Sequence, residues 1–244
     1  MWGKKGLGRG HRAAAFTWLI AMAGVSGPAL AGSFSVNPVQ LSLPDDRQAA
    51  SLTLKNSDAA PVSVRIEALE WTQVDGVDHY GPTTNVIVSP PIFTAQAGQS
   101  QLVRIGLKDR SPARSYRIIL EEIPRQKPPA GKIDVLLRLN LPLYVLPKGG
   151  GKTDVHWRAW RNPDGSFTVE GRNQGSLHLQ VTEIDAAQGG STIALSKQMG
   201  AVLPGSARNW KVPASAKLQP GAPLNLTIKS PAGDSQTRII LEPR

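Results

Sequence analysis

Three histidines beyond the first thirty residues, His79, His156 and His178, are the first places to look for metal ligation or proton transfer, and their spacing offers neither. No H-x-H, i,i+4 or H-E-x-x-H arrangement occurs, and the chain has no cysteine, so a zinc site would need ligands from unrelated loops. Asp45-Asp46 and Glu121-Glu122 pair carboxylates as a glycosidase would, but adjacent residues on a strand point to opposite faces. Asp45-Asp46 follows Pro44 and reads as a solvated turn, and no G-x-S-x-G elbow is present. With no nucleophile and base to pair, an enzyme is the weaker reading and no cofactor or metal is expected.

The remaining chemistry is that of the backbone itself. From Ile133 to Pro147 the chain reads I-D-V-L-L-R-L-N-L-P-L-Y-V-L-P, with an apolar residue at every odd position through Val145. Period-2 alternation predicts a β-strand, here about twice the usual five or six residues. Pro142 cannot donate to a ladder, which places the strand at a sheet edge. Edges are normally shortened, charged or covered to prevent pairing with other chains. This one keeps an unbroken apolar face, as an edge built to pair with another polypeptide would.

The elements that must hold this strand are all of one kind. Apart from a leader, no 3.6-residue apolar stripe of helical length occurs, so the chain is predicted to be all-β. Residues 1–31 have the form of a signal peptide: Lys4, Lys5, Arg9 and Arg12 precede the apolar stretch Ala13 to Val25, and Ala29-Leu30-Ala31 supplies a cleavage site. Residues 32–147 carry eight predicted strands, the number and spacing of an immunoglobulin-like sandwich. They are Ser33 to Val39, Ser51 to Lys55, Val62 to Trp71, Val86 to Val88, Ile92 to Thr94, Gln101 to Leu107, Ser115 to Glu122, and the long strand. Residues 148–152, Lys-Gly-Gly-Gly-Lys, form a linker or elbow. A smaller β-sandwich follows over 153–244, with Asn162-Pro163-Asp164-Gly165 as its clearest hairpin turn.

Charge narrows the partners. The sequence holds 28 Lys and Arg against 18 Asp and Glu, and cleavage would remove four basic and no acidic residues, leaving +6. The cations are scattered, with no aromatic-interleaved cluster, and export argues further against nucleic acid. An exported chain without cysteines must be stabilised by its core and not by disulfides.

The segment Tyr116-Arg-Ile-Ile-Leu-Glu-Glu-Ile-Pro124, with the alternating strand after it, resembles the signature of the periplasmic pilus chaperones, the PapD-like family. Val39-Gln-Leu-Ser-Leu, Leu52-Thr-Leu-Lys-Asn, Pro90-Pro-Ile-Phe and Val103-Arg-Ile-Gly-Leu occur in the family's order. The pattern W-x-Q-x-x-G-x-D-x-Y, Trp71 to Tyr80, is similar to the archaic subgroup that serves spore-coat-U-type subunits. Beyond Pro147 the likeness rests on Trp157, Asn173, Gly175, His178 and Leu203-Pro204-Gly205. The resemblance implies two immunoglobulin-like domains in an L shape, located in the periplasm. It also implies a function: the long strand is lent to pilin subunits that lack their last strand, and an outer-membrane usher later replaces it. Such β-strand addition draws affinity from main-chain hydrogen bonds and specificity from alternate side chains, without cofactor or nucleotide.

On that reading Ile133, Val135, Leu137, Leu139 and Leu141 form the donor face. The competing assignment makes the odd residues the domain's own core face; Leu136, Tyr144 and Leu146 on the other face are apolar enough to pack inward instead. The family's other device is a basic pair in the interdomain cleft that binds the subunit's terminal carboxylate. This chain departs from it, with Gln40 at the first-strand arginine position and Pro142 at the long-strand lysine position. Arg114 stands where an acidic partner often precedes the Tyr-Arg pair. Arg104, Arg117 and Arg138 are the substitute candidates, with Gln40 as an uncharged donor. An alternative function is an exported adhesin or carbohydrate-binding module, with Trp71, Trp157, Trp160 and Trp210 as a stacking platform.

Overall fold

A computed structural model describes Trp2 and residues 34–110, 114–124 and 135–243. The expected leader, apart from Trp2, and Ile133 of the donor face lie outside the described residues. Among the described residues the regular structure is β-sheet with one 3-10 turn, and no helix is long and apolar enough to cross a membrane.

The first sandwich has two sheets. One, in the order β1-β3-β8-β6, contains Phe34–Asn37, Ala49–Asn56, Ser100–Leu107 and Val86–Ser89. The other, in the order β2-β10-β9-β4-β5, contains Leu41–Leu43, Arg138–Val145, Ser115–Ile123, Val62–Val74 and Val77–Pro82, with β7, Ile92–Ala95, also paired to β4. Alternate residues fill the space between them: Leu52, Leu54, Val103 and Ile105 from one sheet meet Val64, Ile66, Ile118, Leu120 and Leu143 from the other. The alternation Tyr116, Ile118, Leu120 sends one face of β9 into this core and leaves Arg117 on the other face.

The second sandwich is a seven-stranded sheet in the order β15-β14-β18-β19-β11-β12-β17, with a two-stranded sheet β13-β16 beside it. Its strands are β11 Val155–Arg161, β12 Phe167–Asn173, β13 Leu179–Val181, β14 Glu183–Gln188, β15 Ser191–Ser196, β16 Gly200–Val202, β17 Ala207–Val212, β18 Pro223–Lys229 and β19 Ser235–Glu242. Ile184 and Leu226 from one half of the large sheet share a core with Val169 and Trp210 from the other, so the sheet folds back on itself. The Asn162 to Gly165 turn joins β11 and β12 as expected, with Gly165 at φ +82 and Asp164 accepting from the Ser166 N–H at 2.9 Å.

Four strands are not evident from the sequence: β2, β5, β13 and β15 are short, or carry polar residues on both faces. The long strand is also shorter than expected. It enters the ladder at Arg138, with Leu137 tied to β9 one step earlier by its carbonyl, which accepts from the Glu122 N–H at 3.0 Å.

A small third cluster joins the two sandwiches. Trp71 and Tyr144 of the first pack against Ala201 and Leu203 of the second, with Leu146 alongside. The described residues of both sandwiches belong to one compact unit.

Candidate functional site

Strand β10 is paired unequally along its length. Residues Arg138 to Tyr144 pair antiparallel with β9 on one side, whereas β2 covers the other side only at Leu143 to Val145, in parallel. The segment from Arg138 to Leu141 therefore presents a free sheet edge among the described residues. Along the odd row, Val135 is 86% exposed, Leu137 and Leu139 are half-buried against the core rim, and Leu141 falls to 6%. Leu143 and Val145 are fully buried in the core.

This corrects two expectations. Leu141 lies in the domain's own core and belongs to no preformed exposed face. The even row does not pack inward in place of the odd one: Leu136 is 40% exposed, and Tyr144 and Leu146 serve the cluster between sandwiches. Core face and candidate donor face are one continuous row of leucines. Its covered end is closed by the opposite sheet, and its other end runs out past it.

The candidate anchors are brought to different places. Gln40 is exposed immediately before Leu41, which pairs with Leu143, so Gln40 flanks Pro142 on the β2 side. Arg117 pairs directly with Pro142 on the β9 side. The positive charge missing from Pro142 is therefore present one strand away, on the same outer face of the sheet. Arg138 is exposed opposite Glu121, four residues towards the free end. Arg104 stands on β8, in the other sheet, facing solvent and far in topology from this row.

Arg117 is held by aromatics. Its guanidinium carbon sits 3.7 Å over the Trp71 ring and 5.9 Å from that of Tyr80, and its Nε is buried without a hydrogen-bond partner. A cation on an indole face is favoured when partly desolvated, yet leaves its outward N–H groups free to bind an anion. Beside it, burial pushes the Tyr144 hydroxyl up to about 12, so it stays protonated, and it too is buried without a partner.

Beneath Trp71 lies a half-buried carboxylate. Asp78 accepts from the Trp71 Nε1–H at 2.9 Å and from Gln73 at 2.8 Å, and forms an ion pair with Arg208 of the second sandwich. Burial opposes its charge, but the hydrogen bonds from Gln73, Arg208 and Trp71 outweigh it and hold the carboxyl below its ordinary value. Sequence reasoning missed this group, although a signal was present. Asp75-Gly76 closes a hairpin in which Trp71 pairs with Tyr80 and Gln73 with Asp78, so the W-x-Q and D-x-Y positions share one face.

The opposite wall is built by Asn173. Its side-chain amide donates to the carbonyls of Leu177 at 2.8 Å and Val202 at 3.1 Å, and its oxygen accepts from the Gly175 N–H at 2.9 Å. The turn so formed lays His178 flat on Tyr144, with ring centroids 3.4 Å apart. Burial lowers the His178 imidazole to about 4, leaving it neutral.

Neither alternative chemistry finds support in the geometry. Among the described residues no group of three His, Asp or Glu could hold a metal; His79 is on β5, His156 on β11, and His178 in the cleft. The tryptophan platform is corrected: Trp71, Trp160 and Trp210 are buried, and Trp157 packs on Trp210 at 5.6 Å.

Comparison with known proteins agrees with this architecture. Residues 33–150 match the family described as pili and flagellar-assembly chaperone, PapD N-terminal domain. No curated protein matches the chain. Among solved structures, the chaperone–tip adhesion subunit pre-assembly complex CsuC–CsuE from the archaic Csu pili of Acinetobacter baumannii aligns at TM-score 0.68. The identity is 20%, over 87% of this chain and 100% of that one. The YadV chaperone aligns at 0.62, with 14% identity over 85% of this chain and 100% of that one. The Salmonella enterica SafA pilin in complex with the SafB chaperone aligns at 0.58, with 15% identity over 86% and 96%. Both sandwiches thus share the fold of pilus chaperones, and residues 33–150 form a domain of the family described as pili and flagellar-assembly chaperone, PapD N-terminal domain.

Proposed function

We propose that this chain is a periplasmic chaperone that captures pilin-type subunits by adding the free end of β10 to an incomplete subunit sheet, and passes them to an outer-membrane usher. One observation carries the reading: the leucine row of β10 leaves its own sandwich while, among the described residues, the strand edge from Arg138 to Leu141 is unpaired. A subunit sheet laid along that edge would satisfy its backbone groups and cover Val135, Leu137 and Leu139. Each fully buried side chain is worth about 1.5–3 kcal/mol, less for leucines already half-covered. Against an association cost of about 4–15 kcal/mol, such a complex needs the backbone bonds and an anchor as well.

Arg117 is the proposed anchor for the subunit's terminal carboxylate, with Gln40 as an uncharged neighbour across Pro142. A guanidinium resting on an indole face is oriented before binding, so less side-chain freedom is lost when the anion arrives. The proposed role is non-catalytic, as is that of the family.

The test is co-expression with a spore-coat-U-type subunit followed by purification. A 1:1 complex with the parent chain, lost in a folded Leu137→Glu or Leu139→Glu variant, is the expected result. Capture that survives both substitutions would overturn the reading and favour the exported binding module.

A further inference from the structure

Trp71 is hydrogen-bonded within its own sandwich, by Asp78, but the hairpin that carries Asp78 is held by residues of the second sandwich. The β4–β5 hairpin reaches across to the edge of β17. At its tip the Asn209 N–H donates to the Gly76 carbonyl at 2.8 Å, and the Asn209 amide donates to the Asp75 carbonyl at 3.2 Å. Further back, Gln73 brackets the end of β16, donating to the Ala201 carbonyl at 2.7 Å and accepting from the Leu203 N–H at 3.0 Å. Between these contacts lies the Asp78–Arg208 ion pair, with side chains only 16% and 12% exposed.

Two glycines permit the approach. A Cβ at Gly76, whose φ is +78, would overlap the Asn209 amide, and one at Gly200 would overlap the Arg208 guanidinium. The strap is therefore packed backbone to side chain on both sides, and Trp71 is sealed beneath it at 2% exposure.

The charges in this cleft follow a definite logic. Arg117 lies on one face of the indole whose N–H is bound by Asp78. An unmatched Asp78 would draw Arg117 off the ring and consume its charge, because opposite charges in a partly buried site attract strongly. Arg208 matches Asp78, so the Arg117 cation is left over for an incoming anion.

We propose that Asp78 and Arg208 are positioning residues: their ion pair lets the second sandwich hold the Trp71 ring in place and keeps Arg117 directed at the subunit's carboxylate. This rests on the reading of Arg117 as anchor. The anchor is then complete only while the two sandwiches are docked, and the second sandwich contributes to capture without touching the carboxylate.

The test uses the mature chain labelled with ¹⁵N-arginine and follows the Arg117 Nε–H resonance, identified by its disappearance in Arg117→Lys. In the parent chain this buried proton should be displaced by the indole ring current and protected from exchange. Arg208→Gln should abolish both the displacement and the protection. The double variant Asp78→Asn/Arg208→Gln should restore them, because asparagine keeps the acceptor for Trp71 without the charge. Arg208→Lys, which retains the charge, should leave the resonance in place, and it serves where Arg208→Gln does not fold. A role confined to gluing the sandwiches together predicts the opposite order, with the double variant no better than the single. That order, an Arg117 resonance unmoved by Arg208→Gln, or one lost in Arg208→Lys, overturns the proposal. The anchor reading is judged separately: capture undiminished in Arg117→Ala would overturn it whatever the resonance does.

Discussion

Leu137 and Leu143 stand in the same row of the same strand, six residues apart. Leu143 is enclosed by both sheets, with β9 and β2 paired on either side of its backbone. Leu137 rests half-exposed on the core rim, and among the described residues only one side of its strand is occupied. Alternation alone cannot separate them, because the pleat gives both the same face. What differs is the length of the neighbours: β2 has three residues, so the second partner of β10 ends where the leucine row emerges. A short edge strand usually protects a sheet from unwanted pairing. Here it leaves the neighbouring strand open from Arg138 to Leu141.

The sharpest way to break this contrast is to put the same charge at each end. Leu143→Glu buries a carboxylate in a sealed core, which is expected to cost more than about 4 kcal/mol, most of the stability of a marginal domain. Leu137→Glu can turn its carboxylate to water, so the melting temperature should fall by only a few degrees while subunit capture becomes undetectable. Thermal unfolding and co-purification read the two outcomes. If Leu137→Glu unfolds the chain as Leu143→Glu does, the two ends are one core and the open edge plays no part.

A second contrast lies between arginines. Arg117→Ala removes a charge-assisted contact worth about 1.5–3 kcal/mol, a loss of about ten- to a hundredfold in affinity for the subunit. Arg104→Ala, on the opposite sheet, should change affinity by less than twofold. Titration calorimetry of each variant with the same subunit distinguishes them, and equal losses would remove Arg117 from the anchor role.

Acid should act on the closed end of β10 and spare the open one. His178, stacked on Tyr144, has its folded value lowered to about 4 from 6.5, so the neutral ring is the form the fold accepts. The unfolded chain then binds more protons, and stability is complete above pH 6.5 and lost as pH falls from there towards 4. With the ring partly exposed, the loss is about 1–2 kcal/mol after allowance for screening. Denaturant unfolding at a series of pH values should show this slope in the parent chain and a flatter one in His178→Gln.

Much of this architecture is legible in the amino-acid sequence. The all-β class follows from period-2 patterning, and the turn between β11 and β12 falls where expected because Pro163-Asp164-Gly165 dictates it. β5 is hidden because Val77-Asp-His-Tyr-Gly-Pro82 has no apolar face of its own; it is a strand because the Asp75-Gly76 turn returns it along β4. Leu141 falls on the expected donor face because a sequence shows which residues share a face but not where the opposite sheet stops. The Asp78–Arg208 pair is invisible for a related reason: 130 residues separate its members, and only the docking of two sandwiches makes them neighbours.

Val135 supplies the smallest effect and the cleanest separation of the two ends. At 86% exposure it contributes almost nothing to the core, so Val135→Ala should leave the unfolding free energy within about 0.5 kcal/mol of the parent. In a complex the same side chain would be covered by a subunit pocket, and losing its two methyl groups should weaken capture by about 1 kcal/mol, roughly fivefold. A substitution that is silent in the free chain and measurable in the complex marks a side chain whose apolar surface is used only by a partner. Calorimetry showing equal affinity for Val135→Ala and parent would place the boundary of the donor face at Leu137, two residues closer to the core.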